Sequence, residues 1–302
     1  MRASKKIKHA MGYGAVRVLG WVARGTPRAI GHRVFSGLGR LAARILERDR
    51  RRAADNLALA FPEAAPMVRD AMVTAMFRAL GRNVYEFLRL EGASPRALAE
   101  RIDHVEGLER LERAYGAGRG LIVITGHIGC WELMPAYFVS RGYRVTAVAR
   151  RVRTERFNER LVAVRRSVGV VSLDRDASPR EMIAVLKRGE VLGVLIDQHT
   201  RVSGVYVPFF NRPALTPTAV AKLALMTGAK ILPMGIFLNH RGKHVVHVLP
   251  EIEPPPAQSR EASVQAMTAA CSLAVERLIR IDPKQWVWFH QRWRETADAA
   301  RG

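Results

Sequence analysis

Short apolar runs alternate with amphipathic stretches along the second half of the chain. The apolar runs are too short for helices and are bounded by glycine or polar residues, so each is interpreted as a buried strand. The predicted strands are 121–125, 143–149, 170–173, 191–196, 231–238 and 245–249. The predicted helices between and after them are 131–140, 157–168, 179–187, 218–227 and 261–281. This alternation predicts an α/β fold with a mostly parallel central sheet flanked by helices, in which the last two strands form an antiparallel pair.

The first third of the chain shows helical spacing without strand patterns. Apolar residues recur every three to five positions over residues 66–90, which predicts one long helix. We therefore expect two regions: a basic, helical region at 1–105 and an α/β core at 106–302.

Positive charge is concentrated at the N-terminus. The chain carries 49 Lys and Arg against 27 Asp and Glu, a net charge of +22, and residues 1–53 hold fourteen of these basic residues but only two acids. Basic residues interleaved with apolar ones at helical spacing predict an amphipathic helix lying on an anionic membrane. A solvated basic face on a core helix and a nucleic-acid-binding surface are the alternatives.

The same N-terminal segment is not expected to span the membrane. A spanning helix needs roughly 20 consecutive apolar residues, but Arg17 interrupts the best candidate and Arg24 ends it. The segment also lacks the pattern of a cleaved secretory signal. Two cysteines are too few for a disulfide framework, and no Cys or His spacing matches a structural zinc site, so no metal is expected.

The candidate chemistry centres on the segment Gly-His-Ile-Gly-Cys-Trp-Glu at 126–132. His127 almost directly follows a predicted buried strand, where sites form in open α/β sheets. Glu132 is five residues on, so the two side chains cannot share one helix face, but Gly126 and Gly129 allow a turn that brings them together. A carboxylate on one imidazole nitrogen fixes the tautomer and leaves the other nitrogen as a base.

Other readings of this segment are weaker. His127 alone is compatible with a purely structural role at a strand end. Cys130 has apolar neighbours, which argue against a stabilised thiolate and a covalent mechanism. One His and one carboxylate fall short of a metal-ligand set.

Further polar residues follow neighbouring predicted strands. Asp197 and Gln198 end the strand at 191–196 and are expected at the same sheet edge as His127. Arginines follow the strand at 143–149, and their planar side chains suit phosphate recognition; they are Arg150, Arg151, Arg153, Arg156, Arg165 and Arg166. No dinucleotide-binding fingerprint, P-loop or serine-hydrolase elbow is present, so none of those cofactor or nucleophile classes is predicted.

These residues resemble those of the lipid A biosynthesis lauroyl/myristoyl acyltransferases, which belong to the H-x4-D/E glycerolipid acyltransferase superfamily. His127 and Glu132 match the H-x4-D/E motif. Further blocks match in order over nearly the whole chain: Asn56-Leu with Phe61-Pro62-Glu63, Asp197-Gln198 with Val207-Pro208-Phe209-Phe210, Thr216 to Gly228, and Pro283 to Trp293.

The resemblance implies an O-acyltransferase without a cofactor. It would move a fatty acyl chain from an acyl-carrier-protein thioester to a hydroxyl of a lipid A precursor, on the cytoplasmic face of the bacterial inner membrane. His127 would act as general base and Glu132 would orient it, with no covalent enzyme intermediate. Arg165 and Asp197 match positions lining the family's groove, and with Arg150 and Gln198 they are the expected substrate-binding residues.

The resemblance leaves the acceptor open. This chain has Cys130 where Asn is frequent and Asn211 where Gly is frequent, and its N-terminal segment is interrupted by Arg17. These departures favour attachment to one face of the membrane and admit another bacterial glycolipid or a lysophospholipid as acceptor. A nucleic-acid-binding protein is the alternative of a different class, but it leaves the His127 segment without a purpose.

Overall fold

A computed structural model describes Gly14 and residues 18–152, 154–200, 202–253 and 259–293. Its strands, in chain order, are β1 (Ile102–Glu106), β2 (Leu121–Thr125), β3 (Val145–Ala149), β4 (Val171–Asp174), β5 (Val191–Leu195), β6 (Gly204–Phe209), β7 (Arg212–Pro217), β8 (Lys230–Leu238) and β9 (His244–Val248). Seven of them form one sheet in the order β1-β9-β8-β2-β5-β3-β4, and β6 and β7 form a separate hairpin. β2, β5, β3, β4 and β8 run parallel, whereas β9 is antiparallel to β8 and parallel to β1.

Helices cover both faces of this sheet. In chain order they are α1 (Arg28–Ile45), α2 (Glu47–Ala60), α3 (Pro66–Leu88), α4 (Pro95–Ala99), α5 (Leu108–Gly116), α6 (Leu133–Ser140), α7 (Glu155–Ser167), α8 (Pro179–Lys187), α9 (Ala219–Thr227) and α10 (Arg260–Ile281). α5, α6 and α7 pack on one face, in a core that includes Leu111, Met134 and Val164. α8, α9, α10 and part of α3 share the other core. Strands buried on both faces explain why their sequences are continuously apolar.

Most of the predicted elements are confirmed. Each predicted strand and helix of the second half is present, with ends shifted by two residues or fewer, and Ser178 begins α8 with a complete capping box. The long helix at 66–90 is α3. The predictions for residues 1–13, 15–17 and Arg153 fall outside the described residues.

Three strands were not predicted, for identifiable reasons. β1 has the sequence Ile-Asp-His-Val-Glu and is largely exposed, so it lacks the apolar run of a buried strand. The β6–β7 hairpin contains three prolines, which normally count against a strand. The predicted boundary at residue 105 falls inside β1, so the sheet begins a few residues earlier, at Ile102.

The N-terminal helices pack closely because glycines line their contact. A Cβ atom at Gly39 of α1 would lie 2.1 Å from the carbonyl oxygen of Phe77 in α3, and one at Gly81 would lie 2.0 Å from that of Phe35. No side chain fits at these separations, so the two helix backbones approach as closely as glycine permits.

A buried ion cluster fixes these helices to the sheet. Glu86 of α3 is fully buried; it accepts a hydrogen bond from Arg28 at 2.6 Å and lies 2.7 Å from Nε2 of His32, both on α1. Burial alone would raise the pKa of Glu86, but the nearby imidazole of His244, the hydrogen bond of His32 and the charge of Arg28 hold that pKa far below its usual value. The ionised carboxylate thus joins α1, α3 and β9.

The outer face of α1 is apolar and exposed. Ile30, Val34, Leu38, Leu41 and Ile45 are 44–68% exposed and recur every three or four residues, so they form one stripe along the helix. Among the described helices, none combines the length and apolar character needed to cross a bilayer.

Candidate functional site

The loop carrying His127 is shaped by Gly129 and by the C-terminal segment. Gly129 has φ +51°, and a Cβ atom there would lie 1.9 Å from the carbonyl oxygen of Ile236. Its N–H donates to the carbonyl of Gln285 at 2.9 Å, and Ile128 forms an antiparallel bridge with Trp286. The loop is therefore held against β8 on one side and against residues 285–286 on the other.

Asp197 is the carboxylate that holds the His127 ring. Its Oδ1 lies 2.9 Å from Nδ1 of His127, and its Oδ2 accepts hydrogen bonds from the His127 backbone N–H and from Nε1–H of Trp286, both at 2.7 Å. Burial by itself would raise the pKa of Asp197, but the electrostatic attraction and hydrogen bonds of His127 lower it below its usual range. An ionised carboxylate at Nδ1 keeps the proton there, so Nε2 is the unprotonated nitrogen of the ring.

Glu132 has a different partner from the expected one. Arg165 of α7 binds its carboxylate with two hydrogen bonds, Nε–H to Oε2 at 2.8 Å and Nη2–H to Oε1 at 2.6 Å. The hydrogen bonds of the His127 ring go instead to Asp197 and Gln198. The expectation that Glu132 orients His127 is therefore corrected. The Glu132 carboxylate is instead bound bidentately by the nearly buried guanidinium of Arg165.

The structure also changes the place of Asp197. As an expected substrate-binding residue it would face the groove, but it is 1% exposed and three donors already occupy its oxygens. It lies behind His127 and is not among the residues that line the cavity.

Gln198 and His290 complete the surroundings of the imidazole. The amide nitrogen of Gln198 lies 3.1 Å from both ring nitrogens of His127 and 2.7 Å from Nε2 of His290. The pKa of His290 is lowered to about 4, chiefly by burial and further by His127, with Asp197 opposing. A neutral His290 can accept the Gln198 N–H, and it adds no charge beside His127.

The C-terminal segment is itself anchored by Asn56. The side-chain N–H groups of this α2 residue donate to the carbonyls of Trp288 at 2.6 Å and His290 at 2.7 Å. Sequence reasoning gave Trp286, His290 and Asn56 no role, although each lies in a block that carried the family resemblance. Their position in those blocks is the feature of the sequence that could have pointed to a role at the site.

Cys130 is unsuited to nucleophilic chemistry. It is 2% exposed, and burial raises the pKa of its thiol strongly, so the thiolate is disfavoured. No group of three or more potential ligands for a metal ion occurs among the described His, Cys, Asp and Glu residues.

The site opens into a cavity of about 720 Å³ with predominantly apolar walls. Five of the six predicted site residues line it, namely His127, Glu132, Arg150, Arg165 and Gln198. The sixth, Asp197, is hydrogen-bonded to His127 behind the cavity wall. Arg150 is exposed at the end of β3. A histidine beside an apolar cavity is an arrangement that can deprotonate a hydroxyl next to a bound hydrocarbon chain.

Known proteins are similar to this chain over most of its length. The family described as "Bacterial lipid A biosynthesis acyltransferase" matches residues 2–295. The phosphatidylinositol mannoside acyltransferase of Mycobacterium tuberculosis is 30% identical over 240 residues, which cover 78% of this chain and 73% of the relative. The lipid A biosynthesis lauroyltransferase of Escherichia coli is 27% identical, covering 91% of this chain and 88% of the relative. The corresponding E. coli myristoyltransferase is 26% identical, with 94% and 88% covered.

Proposed function

Since this chain is an acyltransferase of the bacterial lipid A biosynthesis family, we propose that it moves a fatty acyl chain from an acyl-carrier-protein thioester to a hydroxyl of a lipid A precursor. The observation that carries this proposal is His127, held by Asp197 through Nδ1 at the wall of an apolar cavity.

The geometry suits direct transfer. Nε2 of His127 takes the proton of the acceptor hydroxyl as its oxygen attacks the thioester carbonyl carbon. The tetrahedral intermediate then collapses, the C–S bond breaks, and the proton passes from Nε2 to the departing sulfur of the carrier. Asp197 stabilises the imidazolium formed between these two steps. No enzyme nucleophile takes part, in agreement with the buried Cys130.

Arg165 and Arg150 have supporting roles in this proposal. Two of the N–H groups of Arg165 are held by Glu132, which fixes the guanidinium on the cavity wall. Its remaining N–H groups then serve the developing negative charge on the thioester oxygen. Arg150, exposed at the cavity mouth, suits a phosphate of the acceptor or of the carrier's prosthetic group.

A mannosylated phosphoinositide is the second candidate acceptor. The mycobacterial relative named for that substrate is 30% identical to this chain. Both acceptors offer a sugar hydroxyl beside a phosphate and a lipid anchor, so the same site chemistry serves either one.

We place the protein on the cytoplasmic face of the bacterial inner membrane, attached to one face of the bilayer. The exposed apolar stripe of α1 supports this, because Arg33, Arg40 and Arg44 on the same helix are suited to anionic head groups. A negatively charged carrier protein also suits the net charge of +22.

The test is a transfer assay with the full chain in lipid vesicles. Wild type, His127→Ala and a control variant, His104→Ala, are incubated with a series of acyl-carrier-protein thioesters that differ in the length of the acyl chain. Each acceptor, a Kdo-bearing lipid A precursor or a mannosylated phosphoinositide, is tested in a separate arm, and product mass is read.

We expect wild type and the exposed His104 variant to add one acyl chain, and His127→Ala to be slower by about 10²–10⁴-fold. The mechanism is wrong if a folded His127→Ala protein keeps full activity. The arm that shows product identifies the acceptor, and replacing the carrier by coenzyme A in the same assay tests the donor.

A further inference from the structure

The cavity beside His127 lies on both faces of the sheet. Successive residues of a strand point to opposite faces, and consecutive residues of β5, Gly193 and Val194, both line it. Gly193 is paired with Val123 of β2, and Val194 with Val148 of β3. Val123 belongs to the core under α6, whereas Val148 belongs to the core under α8 and α9. The cavity therefore wraps around the carboxyl edge of the sheet, where His127 and Gln198 lie.

The part on the α6 face, here called the α6 lobe, has buried apolar walls. They are formed by Val123, Met134, Phe138 and Val145, each at most 7% exposed. Along β5 the lobe is lined at three levels, Leu195, Gly193 and Val191. Four residues of strand span about 13 Å, the length of about ten carbons of an extended hydrocarbon at about 1.25 Å each, given C–C bonds of about 1.5 Å.

Gly193 keeps the α6 lobe open at mid-depth. It lies in a central strand, between β2 and β3, where side chains normally pack against a helix, yet it is only partly buried. A Cβ atom built there meets nothing closer than the Thr146 carbonyl oxygen, at 3.9 Å. The space above this residue is thus unfilled by protein.

The part on the other face, here called the α9 lobe, opens outward. Its walls are Met182, Val194, Ile196, Val220 and Leu223, and at its lip Met226 is 57% exposed. Lys222, also exposed, lines the same lip. An apolar lobe with an exposed methionine and a cation at its entrance fits a lipid chain that enters from an anionic bilayer.

Two lobes separated by a hydrogen-bonded sheet suit two chains better than one. β2, β5 and β3 pair continuously between the lobes, so a single hydrocarbon would have to fold over the strand ends, through the polar surroundings of His127.

We propose that the cavity binds two hydrocarbon chains at once: the acyl chain of the donor in the α6 lobe, and a chain already carried by the glycolipid acceptor in the α9 lobe. The assignment rests on the proposed function. A donor chain delivered by a water-soluble carrier needs shelter from water, which the buried side chains of the α6 lobe give, whereas the chain of a membrane-bound acceptor reaches the open α9 lobe from the bilayer. His127 lies where the two lobes meet.

The first test counts bound chains without requiring catalysis. Gly193→Leu fills the α6 lobe and Val194→Phe fills the α9 lobe, so adjacent residues provide matched variants. Radiolabelled dodecanoic acid is titrated into wild type, both single variants and the double variant by equilibrium dialysis. The double variant corrects for chains bound on the exposed face of α1. Thermal unfolding verifies each fold, and Gly193→Ala and Val194→Leu replace any variant that fails to fold.

We expect wild type to bind two chains more than the double variant, and each single variant to bind one more. If wild type exceeds the double variant by only one chain, or if either single variant already matches it, the two-chain proposal is overturned.

The second test separates the lobes by kinetics. Gly193→Leu should shorten the preferred donor chain by about four carbons and leave the KM of the glycolipid unchanged. Val194→Phe should raise the KM of the chain-bearing acceptor by about tenfold and leave the donor preference unchanged. A change of donor preference in Val194→Phe would overturn the assignment. If wild type acylates no glycolipid but still binds two chains in dialysis, the proposed function fails and two-chain binding stands.

Discussion

At the residue scale, the site depends on which carboxylate His127 meets. Sequence spacing pointed to Glu132, five residues away, but the hydrogen-bonded partner is Asp197, seventy residues away. The sequence did predict that both residues lie at the carboxyl edge of the sheet. It did not predict that β5 lies directly beside β2, and that strand order decides the pairing. Local spacing cannot report strand order, because the order is set by the packing of the whole sheet.

Asp197→Asn should show whether Asp197, and not Glu132, is the carboxylate on which the activity of His127 depends. The amide keeps the shape but offers one acceptor oxygen in place of two, so it leaves His127 or Trp286 without its partner. We expect kcat to fall by about 10²–10⁴-fold and the free energy of unfolding to fall by about 1–3 kcal/mol. Steady-state kinetics and urea denaturation measure both.

Glu132→Gln is the matched comparison for that variant. It removes the charge beside Arg165 and leaves the hydrogen bonds of His127 to Asp197 in place. Should both variants give the same pH profile of kcat, Asp197 would have no special coupling to the base.

His290 should make the protein sensitive to acid. Its folded pKa is about 4 against 6.5 in the unfolded chain, so between these values the unfolded state binds a proton that the folded state does not. This contribution to the free energy of unfolding is fully present above pH 6.5 and is lost as the pH falls towards 4, by on the order of 3 kcal/mol.

Urea denaturation of wild type and His290→Gln at pH 7 and at pH 4.5 measures this contribution. The variant should lose less stability between the two pH values, whereas a control, His104→Gln on exposed β1, should behave as wild type. Equal losses in wild type and His290→Gln would contradict the assignment.

At the element scale, regular helices and buried strands were predicted well, and irregular pieces were not. The β6–β7 turn shows why. Phe210 and Asn211 both have positive φ, 51° and 57°. A two-residue type I′ turn requires positive φ at both central residues, because only then does the turn match the right-handed twist of the two strands. Asn211 signals such a conformation in the sequence, but Phe210 does not. Contacts to the buried core override the preference of the aromatic residue.

The contact between α1 and α3 gives an element-scale prediction. Gly39→Ala would place a Cβ atom 2.1 Å from the Phe77 carbonyl oxygen, so the helices must separate, and we expect a loss of about 1–3 kcal/mol in the free energy of unfolding. Gly37→Ala, in the same helix with nothing within 4 Å, should instead gain about 0.5–1 kcal/mol. Denaturation curves compare the two. Equal stabilities would show that the helices are not in close contact in solution.

At the scale of the whole molecule, charge and apolar exposure lie together at the N-terminal helices. The sequence predicted this, because basic and apolar residues that alternate at helical spacing are enough to indicate an amphipathic helix. The attachment through buried Glu86 was not foreseeable, because its partners Arg28 and His244 are separated along the chain by more than two hundred residues.

Vesicle binding should depend on the exposed stripe of α1. Replacing Val34 and Leu38 by Asp removes two exposed apolar contacts and adds negative charge, so partition into vesicles with anionic lipid should fall by about tenfold or more. Sedimentation of the vesicles at low and high salt measures it. Val171→Asp, on the exposed edge strand β4, is the control. Equal loss with the control would argue against a specific membrane face.

The anchoring of the His127 loop by Trp286 also has a consequence for synthesis of the chain. A ribosome makes His127 and Asp197 long before it reaches Trp286, and at about 5–20 residues per second the interval lasts several seconds. During that time Asp197 lacks one of its three donors, and Ile128 lacks its bridge partner. The contacts that hold the His127 loop against Trp286 therefore form last, and the site reaches its full set of hydrogen bonds only after the final helix and the segment behind it have been made.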